Sequence, residues 1–136
     1  MIEDLVKVLT KGEFSIDDVS KVLVKHNANL SSYLLLSSLE KHLRRYNLVL
    51  LTKPEGNYII IPKDYQRVTK LFEFLNLLDL NVKRRVLRNF LTNWCRKYLN
   101  KDLNDVLTEC IEKSIMDLKY YRLRSKYRLA QHTLQR

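Results

Sequence analysis

Along most of the chain, apolar side chains recur every three or four positions, the spacing of one face of an α-helix. Ile2, Leu5, Val6 and Leu9 open the pattern and predict a short first helix. Lys11-Gly12 ends it, with Gly12 suited to a left-handed cap. Ser15 and Asp18 then make a variant capping box, Asp standing where Glu is usual. The helix they start runs from about Ile16 to His26 and buries Ile16, Val19, Val22 and Leu23. Asn27 or Asn29 can take the left-handed conformation in the turn that follows, and Ser31 or Ser32 can cap a third helix over about 32–46. Leu35, Leu36, Leu39 and Leu43 form its inner stripe. Ser37, Ser38, Lys41 and Arg45 fall on a different side, with Ser32 and Arg44 near its edges. Tyr33 and Leu34 are ambiguous by phase.

The period changes once, in "LVLLTKPEGNYIIIP". Residues 48–52 and 57–61 read as strands by composition, and Pro54 and Gly56 fit a tight turn between them. Lys53 sits at the tip. A two-stranded hairpin is marginal alone, so its apolar face must lie on the preceding helices. Beyond Pro62 the helical period returns. Asp64 can cap a helix carrying Tyr65, Val68, Leu71, Phe72, Phe74, Leu75 and Leu78. "DLN" at 79–81 interrupts. A helix over 82–99 turns Val82, Val86, Leu87, Phe90, Leu91, Trp94 and Leu99 inward and lines a polar side with Lys83, Arg84, Arg88 and Lys97. The last helix begins with Leu103, Val106, Leu107, Cys110, Ile111, Ile115 and Leu118, its cap at Asp102 or Asn104. Its stripe then shifts to a short heptad seam of Tyr120, Leu123, Tyr127, Ala130 and Leu134.

Composition narrows the class. Two Gly and two Pro in 136 residues argue against disorder and against an all-β fold. No apolar run reaches the roughly 18 residues that span a bilayer, and the acidic N-terminus is unlike a secretory signal, so a soluble cytoplasmic protein is expected. Cys95 and Cys110 lie fifteen apart with no histidine at ligand spacing; they read as core thiols, and no metal or cofactor is expected. Two glycines, at 12 and 56, cannot build a phosphate loop. No nucleophile elbow or paired-carboxylate arrangement is present either, so an enzyme is not expected. Many Leu, Tyr, Lys, Ile and Asn with few Gly or Ala fit an AT-rich genome, such as that of an archaeon or one of its viruses.

Charge location changes the picture more than its total of +10. Residues 1–62 hold eight basic and seven acidic side chains, residues 63–118 eleven and eight, and residues 119–136 six and none. A surplus of this size favours polyanionic partners.

Three helices followed by a hairpin, carried by "FSIDDVSKVLVKHNANLSSYLLLSSLEKHLRRYNLVLLTKPEGNYIII", resemble the winged helix-turn-helix. The resemblance implies a winged-helix domain over 1–62, and the helical period beyond it predicts a helical domain over 63–136 that ends in a basic helix. It implies that the third helix enters a major groove and the hairpin lies along the backbone beside it. Lys41 and Arg45 would then contact bases or phosphates, Ser32, Ser37 and Ser38 would be short donors, and Arg44 and Lys53 would bind backbone. Arg122, Arg124, Lys126 and Arg128 flank the C-terminal seam. That seam has three readings: docking on its own chain, a subunit interface, or a basic helix that contacts nucleic acid or an acidic partner directly and orders only on binding. The expectation is a homodimeric double-stranded DNA-binding protein, a transcription regulator or a replication or partition factor. The alternative is an interaction module or scaffold subunit of a larger assembly, with an acidic protein partner.

Overall fold

The computed structural model describes the backbone of residues 1–134 and the side chains of residues 1–120. The chain is mainly helical with one small three-stranded antiparallel sheet. The order is α1 (Ile2–Leu9), β1 (Glu13–Phe14), α2 (Ile16–Lys25), α3 (Ser32–Arg44), β2 (Leu48–Thr52), β3 (Tyr58–Pro62), α4 (Thr69–Asn76), α5 (Leu80–Trp94) and α6 (Leu103–Leu134).

Turn chemistry places the first elements. Gly12 sits at φ +93°, and a Cβ there would lie 3.0 Å from the Arg84 carbonyl oxygen and 3.0 Å from Leu87 Cβ. The turn after α1 therefore lies flat on α5, where only glycine meets both demands. The capping box is complete: Ser15 Oγ accepts from the Asp18 N–H at 3.1 Å, and Asp18 Oδ2 accepts from the Ser15 N–H at 3.0 Å. Asn27 takes the left-handed turn at φ +52°, and Ser31 caps α3 by accepting from the Leu34 N–H. In the predicted inner stripe of α3, all four leucines are buried.

β3 is the central strand, with β1 on one side and β2 on the other. β1 is an addition to the expected hairpin; two residues are too few to display a period of two. Its Glu13 lies opposite Ile59 and its Phe14 opposite Tyr58. β3 runs one residue later than expected. Asn57 belongs to the turn, its carbonyl accepting from the Lys53 N–H at 2.7 Å, and Pro62 pairs opposite Leu48.

The second half departs further. The single helix expected over 64–78 is broken: Lys63–Tyr65 makes one 3-10 turn, Val68 is non-helical at ψ 86°, and α4 starts after it. Tyr65 instead packs edge-on against Phe90 of α5, ring centroids 5.1 Å apart. α5 begins at Leu80, inside the expected interruption. Its continuation, Cys95–Leu99, opens to π geometry and is stopped by Asn100 at φ +52°.

α6 packs on both α1 and α3. The main core joins Leu5, Phe14, Val19, Leu39 and Leu43 to Leu91, Trp94, Leu107 and Ile111, so the expected boundary after residue 62 runs through a shared core. A second cluster of Val49, Ile59, Ile61, Leu75 and Leu87 covers the other face of the sheet. Cys95 and Cys110 lie in the main core, where burial pushes both thiols up to about 11. They are free and buried, as core thiols should be. Among the described residues no helix is long and apolar enough to cross a membrane.

Candidate nucleic-acid interface

Along α3, Leu34, Ser38, Lys41, His42 and Arg45 share one side at spacings of three and four. This side looks onto α6, and the two helices enclose a groove of about 620 Å³ together with the turn before α3. Ser37, Lys41 and Arg45 are exposed along it; Leu30, Leu34 and Leu118 supply its apolar lining.

The groove floor holds a polar clamp. Asp117 of α6 accepts from His42 Nε2 at 2.7 Å and from the Ser38 hydroxyl at 3.1 Å. His42 donates more strongly than burial penalises the carboxylate, so the Asp117 carboxyl sits below its ordinary value, with Ser38 and nearby Lys41 adding to the effect. His42 is buried, and its Nδ1 has no hydrogen-bond partner among the described residues. Serine, histidine and aspartate meet here, but the carboxylate takes both donors. The imidazole–hydroxyl contact that activates a nucleophile is missing. The clamp fixes α6 to α3; it does not make a reactive serine.

A second polar cluster lies at the C-terminal end of α3. The Tyr46 hydroxyl donates to the Glu109 carboxylate, and Lys113 Nζ donates to Glu109 at 2.7 Å. Lys113 first, then Tyr46, hold the Glu109 carboxyl down at about 2, while the same carboxylate pushes the Tyr46 phenol up to about 12. Lys101 lies over the Tyr46 ring, 5.4 Å from its centroid.

The structure brings Ser37, Lys41 and Arg45 together and puts the other expected residues to different use. Ser32 Oγ lies 2.7 Å from Ser20 Oγ, tying α3 to α2. Ser38, expected on an outward side, is buried and taken by Asp117, because α6 covers the side it occupies. Arg44 is exposed but paired with Glu40 at 2.9 Å. Lys53, expected at an open tip, folds back over β1: its ammonium lies 2.7 Å from Glu13 and 3.8 Å from Glu55. Lys83, expected on a polar side of α5, meets the same Glu13 carboxylate at 3.3 Å and is buried. Burial disfavours all three charges in this cluster. The Glu13 carboxyl nevertheless ends below its ordinary value because two ammonium groups face it. The Lys53 ammonium ends above its own, and Lys83 ends below because burial and the neighbouring Lys53 outweigh its share of the carboxylate.

Tyr120 is exposed at the start of the proposed seam. Leu123, Tyr127, Ala130 and Leu134, and the basic Arg122, Arg124, Lys126 and Arg128, lie outside the residues whose side chains are described. Sequence reasoning missed His42 and Asp117. His42 had a signal, since it follows Ser38 by one helical turn. Asp117 had none, since its partner lies 75 residues away. No family model, curated protein or solved structure matches this chain.

Proposed function

We propose that the chain is a DNA-binding protein whose first 62 residues act as a winged helix, with α3 as the groove-entering element and the β2–β3 hairpin as the wing. The observation that carries this reading is the pair of exposed cations, Lys41 and Arg45, along the groove between α3 and α6. Three helices and a hairpin occur in the order that the resemblance implies, β2 packs on α3, and Ser37, Lys41 and Arg45 stay exposed on one side. Lys41 and Arg45 are the residues placed to meet bases or phosphates, with Arg44 beside them. The hairpin would contribute shape more than charge, because Lys53 must leave Glu13 to reach a phosphate. Regulation of transcription, replication and partition are all roles for such a protein.

Duplex binding should be sequence-tolerant at first order, with a log-affinity against log-salt slope steeper than about −3, because several phosphates are neutralised at roughly 0.9 each. A labelled duplex of mixed sequence, titrated by fluorescence anisotropy over a salt series, measures it. No binding at about 50 mM salt would remove this reading.

A second reading is favoured by one observation. Tyr33 and Leu34 are 69% and 59% exposed at the start of α3, next to a groove with a partly apolar lining. Such a surface suits an amphipathic protein segment, with acidic residues meeting Lys41 and Arg45, and makes the domain an interaction module. Homodimerisation through helices after residue 63 is part of the proposal. Phe74, Leu77 and Leu80 are exposed around the α4–α5 turn, and the C-terminal seam follows. Light scattering on the full chain and on residues 1–118 tests it; a full-length monomer at high micromolar concentration would sink the dimer.

A further inference from the structure

Residues 80–101 contain seven basic side chains and no acidic one. This run matches the C-terminal tail in strength, yet it lies in a part of the chain whose net charge is diluted by acids on either side. The structure shows where the charges go. Lys83 turns inward to Glu13. Arg84, Arg85 and Arg88 of α5, and Arg96 of its π continuation, stay along the side that faces the end of α1. Two clefts there, of about 360 and 590 Å³, meet at Thr10 and Arg88. α1 contributes Lys7 and Thr10 to their walls, and α5 adds Thr92 between Arg88 and Arg96. Gly12 makes the arrangement possible, because its missing Cβ lets the turn after α1 rest on the Arg84 backbone.

We propose that this α1–α5 cleft is a second nucleic-acid surface, which binds the phosphodiester backbone of a duplex without reading its sequence.

Three arguments carry it. The cations are free: Lys7, Arg84, Arg85 and Arg88 have no ion pair among the described residues. At the far end the larger cleft is also lined by Asp102 and Asp105, and Arg96 meets Asp102 at 3.5 Å, both well exposed. The extent is suitable: Arg84, Arg85 and Arg88 cluster within about 6 Å of helix rise and Arg96 follows roughly 12 Å further on, a reach that spans several phosphates. Finally, no aromatic residue lines either cleft, so the stacking that single strands require is absent and a paired backbone is the better fit. The cleft shares no lining residue with the α3–α6 groove, so this inference stands whether or not α3 enters a groove.

The test compares the full chain with Arg85→Glu/Arg88→Glu, both exposed positions, and with Lys63→Glu/Lys70→Glu as a control of equal charge change. Anisotropy on a labelled mixed-sequence duplex over a salt series is the readout, and thermal melts check that each variant folds. The α5 variant should lose about 2 from the magnitude of the salt slope, one contact per arginine, alike on different sequences. Arg85→Lys/Arg88→Lys should keep the slope. An unchanged slope in the α5 variant overturns the proposal, and so does an equal loss in the control, which would mean diffuse charge alone. Binding to vesicles with anionic headgroups that depends on Arg85 and Arg88, without binding to duplex, would overturn it in favour of a membrane surface. Loss confined to the α5 variant, with Lys41→Ala and Arg45→Ala at wild-type affinity, would sustain the cleft and remove the α3 reading.

Discussion

The two cationic surfaces of this protein are built differently. On α3, each cation has a distinct neighbour: Lys41 lies near the Asp117 clamp, Arg44 is paired with Glu40, and Arg45 lies near Tyr46. Exposed Tyr33 and Leu34 stand at the same end as the serines. On the α1–α5 side, Arg84, Arg85 and Arg88 line one cleft without an acid, and Asp102 and Asp105 enter only at the Arg96 end of the other. A surface of the first kind can discriminate, because its polar groups make some partners fit and others lose hydrogen bonds. A surface of the second kind attracts any dense anion of the right spacing. Net charge counts both alike and conceals the difference.

Glu13 holds this division in place. It removes Lys53 and Lys83 from the surface and ties the hairpin to α5. All three side chains are largely buried, so the carboxylate cannot be replaced by water. Glu13→Gln should therefore give the largest effect, a loss of about 3–5 kcal/mol in urea unfolding at neutral pH, because two buried ammonium groups are left facing each other. The sign with pH follows from the lowered Glu13 carboxyl. Its contribution is present above the ordinary carboxylate range and is lost as pH falls through the folded value. A loss of only a few tenths would show that Lys53 swings out to solvent, which would return it to the set of cations open to a phosphate.

These assignments show what the sequence could carry. The period of 3.6 identified the inner leucines of α3 and the stripe of α6, because a stripe is a local pattern. Ser15, Asp18, Gly12 and Gly56 were legible for the same reason, each acting on backbone within a few positions. Lys53 and Lys83 were not. They lie 30 positions apart, and both meet a carboxylate on a two-residue strand that has no period of its own. The break after Tyr65 was hidden because Phe90, the ring that Tyr65 packs against, lies 25 positions away in α5. The arginines of α5 were visible as residues, but their alignment with Lys7 depends on the glycine contact at Arg84.

An intermediate effect separates the surfaces by what they recognise. If α3 reads bases, Lys41→Ala and Arg45→Ala should each cost about 1–3 kcal/mol on a preferred sequence and less on others. Lys113→Ala should cost less than either, since Lys113 is held by Glu109 away from the groove. Binding selection from a random duplex pool, repeated with each variant, measures both quantities. Equal losses at 41, 45 and 113 would make α3 a surface of the same kind as α5 and erase the contrast.

The smallest expected effect sharpens the contrast most, because it changes no surface cation. Asp117 fixes α6 to the groove side of α3, and its side chain is 45% exposed while that of His42 is 9%. Solvent screening keeps the pair modest, so Asp117→Asn should cost less than about 1 kcal/mol at neutral pH. The bond from His42, and then that from Ser38, hold the carboxyl below its ordinary 3.8 in spite of partial burial. Its contribution is therefore present above pH 3.8 and is lost as pH falls through the folded value. The Glu109 and Glu13 carboxyls are also held below their ordinary values, but they are so in both proteins and cancel in the difference. The stability gap between wild type and Asp117→Asn should thus close as urea unfolding is repeated towards pH 2; a gap that stays constant would assign Asp117 a packing role only. In binding, the same variant loosens the wall behind Lys41 and leaves Arg85 and Arg88 untouched. Sequence preference should weaken while the salt slope holds. A variant that lost slope and preference together would show that the two surfaces act as one.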